Sequence, residues 1–117
     1  MMDIEKVREF LQGQTHMVLA VTLEDGTPWA VPVRIQKWQG REFEWDSRLD
    51  TVHSQAIAAR PATAITLFQK AADAQIGFYA SGRAELVEQK GEYGRYRFTV
   101  ERAWLNDETF VKREVEI

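Results

Sequence analysis

Hydrophobic positions in the first dozen residues recur at helical spacing. Ile4, Val7, Phe10 and Leu11 share one face, with Asp3 where an N-cap would stand and Gly13 where a helix would stop. This predicts a short helix, laid as a lid on a sheet through one apolar stripe. From Thr15 the period becomes two. The stretch His16 to Leu23, HMVLAVTL, is apolar on both faces: Met17, Leu19 and Val21 on one, Val18 and Ala20 on the other. Glu24-Asp25-Gly26 supplies a turn, Asp-Gly being a strong hairpin signal. The return strand, Trp29 to Lys37, sets Trp29, Val31, Val33 and Ile35 against Ala30, Pro32, Arg34 and Gln36. Pro32 cannot donate to a ladder, so it marks an edge or a bulge. After Gln39-Gly40, Phe43 and Trp45 continue the alternation in a third strand.

The next window is helical again. Leu49, Val52, Ala56 and Ile57 share a face, Ser47 or Asp50 can cap its start, and Arg60-Pro61 ends it. Ala62 to Phe68 reads as a fourth strand. Lys70 to Gln75 is a polar, alanine-rich connection to which the pattern assigns no conformation. A fifth strand places Ile76, Phe78, Ala80, Gly82, Ala84 and Leu86 on one face, and Gly82 in mid-strand predicts a bulge or a close backbone approach. Beyond Lys90-Gly91, Tyr96, Phe98, Val100 and Trp104 form a sixth strand, which Asn106-Asp107 turns into a last one, Val111 to Ile117. Six or seven antiparallel strands and two short helices in 117 residues must curl and close to remove exposed edges. The expectation is a mainly β, small Greek-key barrel, a single domain over residues 1–117.

Composition narrows the function. Eighteen acidic against fifteen basic residues leave a net charge of −3, which weakens any case for nucleic acid, whose binders neutralise phosphates with Lys and Arg. Arg83, Arg95 and Arg97 are interleaved with Glu85, Glu92 and Glu101, a solvated mixed-charge face. Trp29, Trp38, Trp45 and Tyr96 share the alternation of Val and Ile, which makes them core or interface rather than a base-stacking platform. With no cysteine, disulfides, thiolate nucleophiles and Cys-ligated metals are excluded. The two histidines lack ligand spacing, so no metal site is expected, and His16 is expected to pack at its strand's start. No apolar run approaches the roughly 20 residues of a membrane helix. The opening MMDIEKVREF carries no apolar leader core, so the expected location is the cytoplasm. Nucleophile elbow, phosphate-binding loop and dinucleotide fingerprint are all missing, leaving a bound organic cofactor as the source of any chemistry.

The stretch Phe43 to Pro61, FEWDSRLDTVHSQAIAARP, carries most of the candidate chemistry. It runs strand, hydroxyl- and charge-rich turn, helix. A helix start offers free N–H groups and the positive dipole end, which suits a phosphate, and Ser47, Arg48, Thr51, His53 and Ser54 add donors within about one turn. Ser47-x-x-Asp50 equally reads as a capping box that needs no ligand. Asp46 and Asp50 would repel a phosphate unless turned away or paired with Arg48. His53 is either a half-buried surface histidine or, with an ordinary pKa near 6.5, a partner for an anion.

Taken in order, these segments resemble the flavin-binding split-barrel family related to pyridoxamine 5′-phosphate oxidase. The similar features are HMVLAVT, the turn EDG-x-P, Pro32-Val33, Phe43-x-Trp45-Asp46-Ser47, the helix closing on Ala-Arg-Pro, Ala64 to Phe68, and Gly82-Arg83-Ala84-Glu85. The resemblance covers residues 4 to 88 and, more loosely, the last hairpin. It implies a six-stranded split barrel forming a homodimer with FMN at the subunit interface. Carried over by position, Trp45, Asp46 and Ser47 would line the flavin, Arg48, His53 and Ser54 would face its phosphate, and Val31 to Arg34 would lie close by. His53 stands where the family often has lysine, Val31 and Gln36 stand where the oxidase itself has Arg and Lys, and the turn after Trp45 is about two residues longer. One lost charge-assisted contact to a phosphate is worth roughly 1.5–3 kcal/mol. The resulting expectation is an FMN-dependent oxidoreductase acting on a small molecule, with no catalytic acid or base evident and without pyridoxal phosphate synthesis. The alternative is a non-catalytic dimer that has lost FMN and binds haem, deazaflavin or a metabolite.

Overall fold

The computed structural model describes residues 2–71 and 74–117. Helix α1 (Asp3–Gln12) leads into strands β1 (His16–Thr22), β2 (Pro28–Arg34), β3 (Lys37–Gln39) and β4 (Glu42–Arg48). Helix α2 (Val52–Ala59) follows, then β5 (Ala62–Ala71), β6 (Ala74–Lys90), β7 (Tyr93–Asp107) and β8 (Arg113–Val115). All pair antiparallel in one sheet ordered β2-β1-β5-β6-β7-β4-β3, with β8 added to β7. The expected mainly β split barrel is present, with one more short strand, β3, than the hydrophobic pattern resolves, and with the expected last strand shortened to β8. Of the connection expected between Lys70 and Gln75, Lys70 and Ala71 belong to β5 and pair with Gln75 and Ala74 of β6, while residues 72–73 lie outside the described set.

The sheet curls but does not close. The end strands, β2 and β3, are not paired with each other; Gln36, between them in the chain, donates its N–H to Glu44 O (2.8 Å) beside the β3–β4 ladder. Pro28 and Pro32 both lie on the edge strand β2, where a missing N–H interrupts no ladder and discourages a further strand. Beyond Glu44, β4 also has no partner on the side away from β7, because β3 covers only Glu42 to Glu44. The split therefore runs between two open edges, β2 and the end of β4.

Gly82 makes both of the expected features. Ser81 faces Arg102 while Gly82 faces Val100, so Glu101 is an extra residue in β7. A Cβ at Gly82 would fall on the Thr99 carbonyl oxygen, so the backbones also approach closely. The bulge reverses the facing of β7. Tyr96, Phe98 and Val100 point inward before it, Ala103, Leu105 and Asp107 after it. Trp104, an even-numbered position like Tyr96, Phe98 and Val100, is consequently turned out, since one inserted residue shifts a period of two. Leu86 also departs from the inward face: it lies near the end of β6, next to a second irregularity between Leu86 and Glu88, and is 44% exposed.

Helix caps differ from the sequence reading. Met2 precedes α1 without a side-chain cap, and Asp3, its first residue, instead receives Arg113 Nε at 3.0 Å. Thr51, not Ser47 or Asp50, caps α2 by accepting the Ser54 N–H at 3.1 Å. Ser47 is still in β4, and Val52 is exposed rather than in the helix's packed face. Asn106 and Asp107 end β7, and the turn follows them.

The outer face of the long strands is weakly polar and made largely of small side chains. Registers place Ala30, Ala20, Ala64 and Ser81 in one row across β2, β1, β5 and β6, and Pro32, Val18, Thr66, Tyr79 and Trp104 in the next. A shallow hollow of about 360 Å³ lies over Val18, Ala20, Ala64, Thr66, Tyr79 and Trp104.

Candidate functional site

Alternation along β4 sends Phe43 and Trp45 into the core and Glu44, Asp46 and Arg48 to the outer face, beside Arg97, Arg95 and Tyr93 of β7. Arg95 grips Asp46 with Nε (2.6 Å) and Nη2 (3.1 Å) and reaches Glu44 at 3.2 Å, while Arg97 Nε donates to the other Glu44 oxygen at 3.1 Å. Glu44 is only 7% exposed. Burial pulls its pKa upward, but Arg97 and Arg95 outweigh burial and hold it below the usual range. Arg95 likewise holds the Asp46 carboxyl low. This ladder fixes β4 against β7, and with it the turn that follows.

The turn is knotted around the backbone of Arg48. Its carbonyl accepts Thr51 Oγ1 (3.2 Å) and Ser54 Oγ (2.8 Å). The guanidinium donates to both Asp50 oxygens at 3.2 Å and to Glu92 at 3.1 Å, and lies over the Tyr93 ring at 5.7 Å from its centroid. The Leu49 N–H reaches the Glu92 carbonyl at 2.9 Å, binding the β6–β7 hairpin tip to the same turn. At the start of α2, the Ser54 and Gln55 N–H groups bond to Thr51, whereas those of Val52 and His53 precede the first intrahelical acceptor.

His53 is 8% exposed, and its Nε2 lies 2.9 Å from Ser47 Oγ. Burial pushes its pKa below the ordinary 6.5, so the neutral ring is the folded form near pH 7. A histidine depressed in the folded state is protonated first in the unfolded chain. Stability should therefore decline as pH falls below about 6.5 and continue to decline until the folded-state pKa is passed. Urea midpoints at pH 7.5 and 5.5 check this: the difference should shrink in His53→Gln relative to the parent.

The expected site residues are thus brought together in part. Ser47 and His53 pair, and Ser54 closes on Arg48. Asp46 is turned away onto Arg95, and Asp50 is paired with Arg48, the two ways in which an acid could leave an anion undisturbed. Arg34 ends the edge strand β2, exposed and opposite His16. His16, expected to pack, is exposed and 2.9 Å from Thr15 Oγ1. Trp45 is fully enclosed, stacked on Tyr96 at 5.7 Å, and its Nε1 has no partner among the described residues. Thr51 as the cap was legible from the Thr-x-x-Ser spacing; Glu92 and Tyr93 carried no local signal, being 44 and 45 residues from Arg48 along the chain. Among the described residues, no three His, Asp or Glu side chains gather as a metal site, and no helix is long and apolar enough to cross a membrane.

A single antiparallel sheet, curled and left split beside a strand-turn-helix, defines the split-barrel class. The chain belongs to the pyridoxamine 5′-phosphate oxidase family, whose sequence pattern matches residues 4–116. Its fold is similar to that of a Clostridium acetobutylicum protein related to general stress protein 26 (12% identity, 97% of this chain and 94% of that one, TM-score 0.80). It is also similar to a heme-binding protein from Mycobacterium smegmatis (16%, 96% and 57%, TM-score 0.84) and an FAD-binding protein from Mesorhizobium loti (12%, 98% and 96%, TM-score 0.77). At these identities the likeness is one of fold. No curated protein sequence matches the chain.

Proposed function

We propose that the protein is a homodimer that holds FMN along its split and acts as an FMN-dependent oxidoreductase on a small molecule. The observation that carries this reading is the state of Arg48. Its guanidinium already holds two carboxylates, and both carboxylate side chains are well exposed (68% for Asp50, 77% for Glu92). Exposed pairs of this kind are worth little and exchange readily for a phosphate, which offers more oxygens and more charge. The unfilled N–H groups of Val52 and His53 add the donors and the dipole end that such a group prefers. The residues present therefore fit a phosphate-bearing cofactor.

In this arrangement Arg48 and the start of α2 bind the phosphate, while Ser47, on the opposite face of β4, pairs with neutral His53 and steadies the helix start. The open edges of β2, up to Arg34, and of β4, from Trp45 to Arg48, flank the remainder with backbone donors and acceptors. Trp45, stacked on Tyr96, sets the position of the β4 edge from the core side, and Asp46 keeps Arg95 on β7. A bound flavin supplies hydride or electron transfer; no side chain is assigned as acid or base.

The second copy follows from the outer face. The alanine row and its neighbours present a small-residue, weakly polar surface on which another sheet can pack at about 10 Å. Ala64→Glu, placing a charge at the centre of that face, should convert a dimer of the 13.5 kDa chain into a monomer by light scattering at micromolar concentration. A monomeric parent protein would contradict the dimer.

The cofactor is tested by titrating FMN into the purified protein and following flavin fluorescence. Saturable quenching supports the reading, and no quenching together with a colourless protein removes it. A second reading, haem in place of FMN, draws on neutral His53 in the position where the family often has lysine and on exposed His16 beside Arg34. A Soret band on adding hemin, without FMN quenching, would favour it.

A further inference from the structure

The Arg48 guanidinium is held by two carboxylates from outside α2, whereas α2 reaches only the Arg48 carbonyl, through Ser54 Oγ. Asp50 lies two residues away and takes Nε and Nη2; Glu92 arrives from the tip of the β6–β7 hairpin and takes Nη1. The Tyr93 ring supports the guanidinium from below, and the Glu92 carbonyl accepts the Leu49 N–H. The guanidinium thus has a carboxylate on each of its donor edges, the same geometry that a phosphate monoester would take. The hairpin has no other carboxylate on this turn: Glu88, on the same outer face, stands opposite Arg95.

We propose that Asp50 and Glu92 are resident competitors for the phosphate of the bound ligand, so that Arg48 is a self-occupied anion position which a phosphate monoester takes over, displacing Glu92 and freeing the hairpin's side-chain tie. The inference rests on the reading of this turn as the phosphate end of the cofactor site. It accounts for an arginine bearing two acids next to a helix start at which the Val52 and His53 N–H groups precede the first intrahelical acceptor. It also makes the site selective: a neutral ligand gains nothing by approaching Arg48, whereas a phosphate exchanges one set of charge-assisted bonds for another.

The test compares FMN with riboflavin, which shares the ring and lacks the phosphate. Affinities of both are measured by fluorescence quenching on the parent protein, Glu92→Gln and Asp50→Asn. Both carboxylates are exposed, so each substitution leaves the core untouched. Glu92→Gln should tighten FMN by about two- to fivefold, the size of one exposed ion pair, and leave riboflavin unchanged; Asp50→Asn should act in the same direction. High salt should reduce the gain. FMN and riboflavin responding equally, or FMN binding unaltered in both variants, overturns the competition while leaving the cofactor reading standing. If neither flavin binds any of the three proteins, the cofactor reading fails and takes this inference with it.

Discussion

Asp107→Ala should lower stability by about 3 kcal/mol, read as a shift of the urea midpoint at unchanged slope. The carboxylate is 2% exposed and accepts Arg113 Nη2 (2.9 Å), Lys6 Nζ (2.9 Å), Thr109 Oγ1 (2.6 Å) and Thr109 N–H (3.0 Å). Removing it takes the buried acid from two cations and opens the turn from β7 to β8, leaving Asp3 of α1 on Arg113 and the exposed Glu108 on Lys6. Breaking a wholly buried pair costs about 3–5 kcal/mol; the lower figure applies because both cations are about one-third exposed. Asp107→Asn should fall between, retaining an acceptor for the Thr109 N–H but losing the charge.

The same group sets an acid limit. Hydrogen bonds from Arg113, Thr109 and Lys6 hold its pKa far below the ordinary 3.8. A depressed carboxylate contributes its full stabilisation above the unfolded-state pKa, and that contribution is lost as pH falls below it toward the folded value. Between pH 4 and 2 the parent should lose more stability than Asp107→Asn does.

Gly82→Ala is expected to cost about 3 kcal/mol, at the upper end for inserting one methyl group into packed structure. The added carbon would meet the Thr99 carbonyl and the Phe98 ring. The obstacle is backbone, which cannot swing aside as a long side chain does. Relief would require β6 to move off β7 at the bulge, where Glu101 is already unpaired. A thermal midpoint equal to that of the parent would show that the two strands are looser here than their register implies.

Gly82 is also where sequence and structure are most easily compared. A glycine inside an apolar alternation predicted a bulge, and the bulge is there. The strand that received the extra residue was not legible, because nothing in Thr99-Val100-Glu101-Arg102 distinguishes it from regular strand. The opposite facing of Trp104 from Val100 was not legible for that reason. The β4-turn-α2 segment was recognisable from its donors, since helix starts and hydroxyl-rich turns have local signatures. Its electrostatics were not, because Arg48 is satisfied by Glu92 and Asp46 by Arg95, contacts across 44 and 49 residues of chain. Sheet closure failed as an expectation because turn chemistry fixes which strands are neighbours, whereas closure depends on whether the last edges can pair. Pro28, Pro32 and the shortness of β3 decide that here.

In the proposed arrangement, two copies of the sheet, back to back, turn the open split into an enclosed slot for a ligand. Titrating FMN into the parent protein and into Ala64→Glu, with the mass of each measured in the same buffer, examines that dependence directly. One FMN per chain on a dimeric parent, with affinity lost in the monomeric variant, is the predicted result. Undiminished FMN binding by a monomer would contradict it.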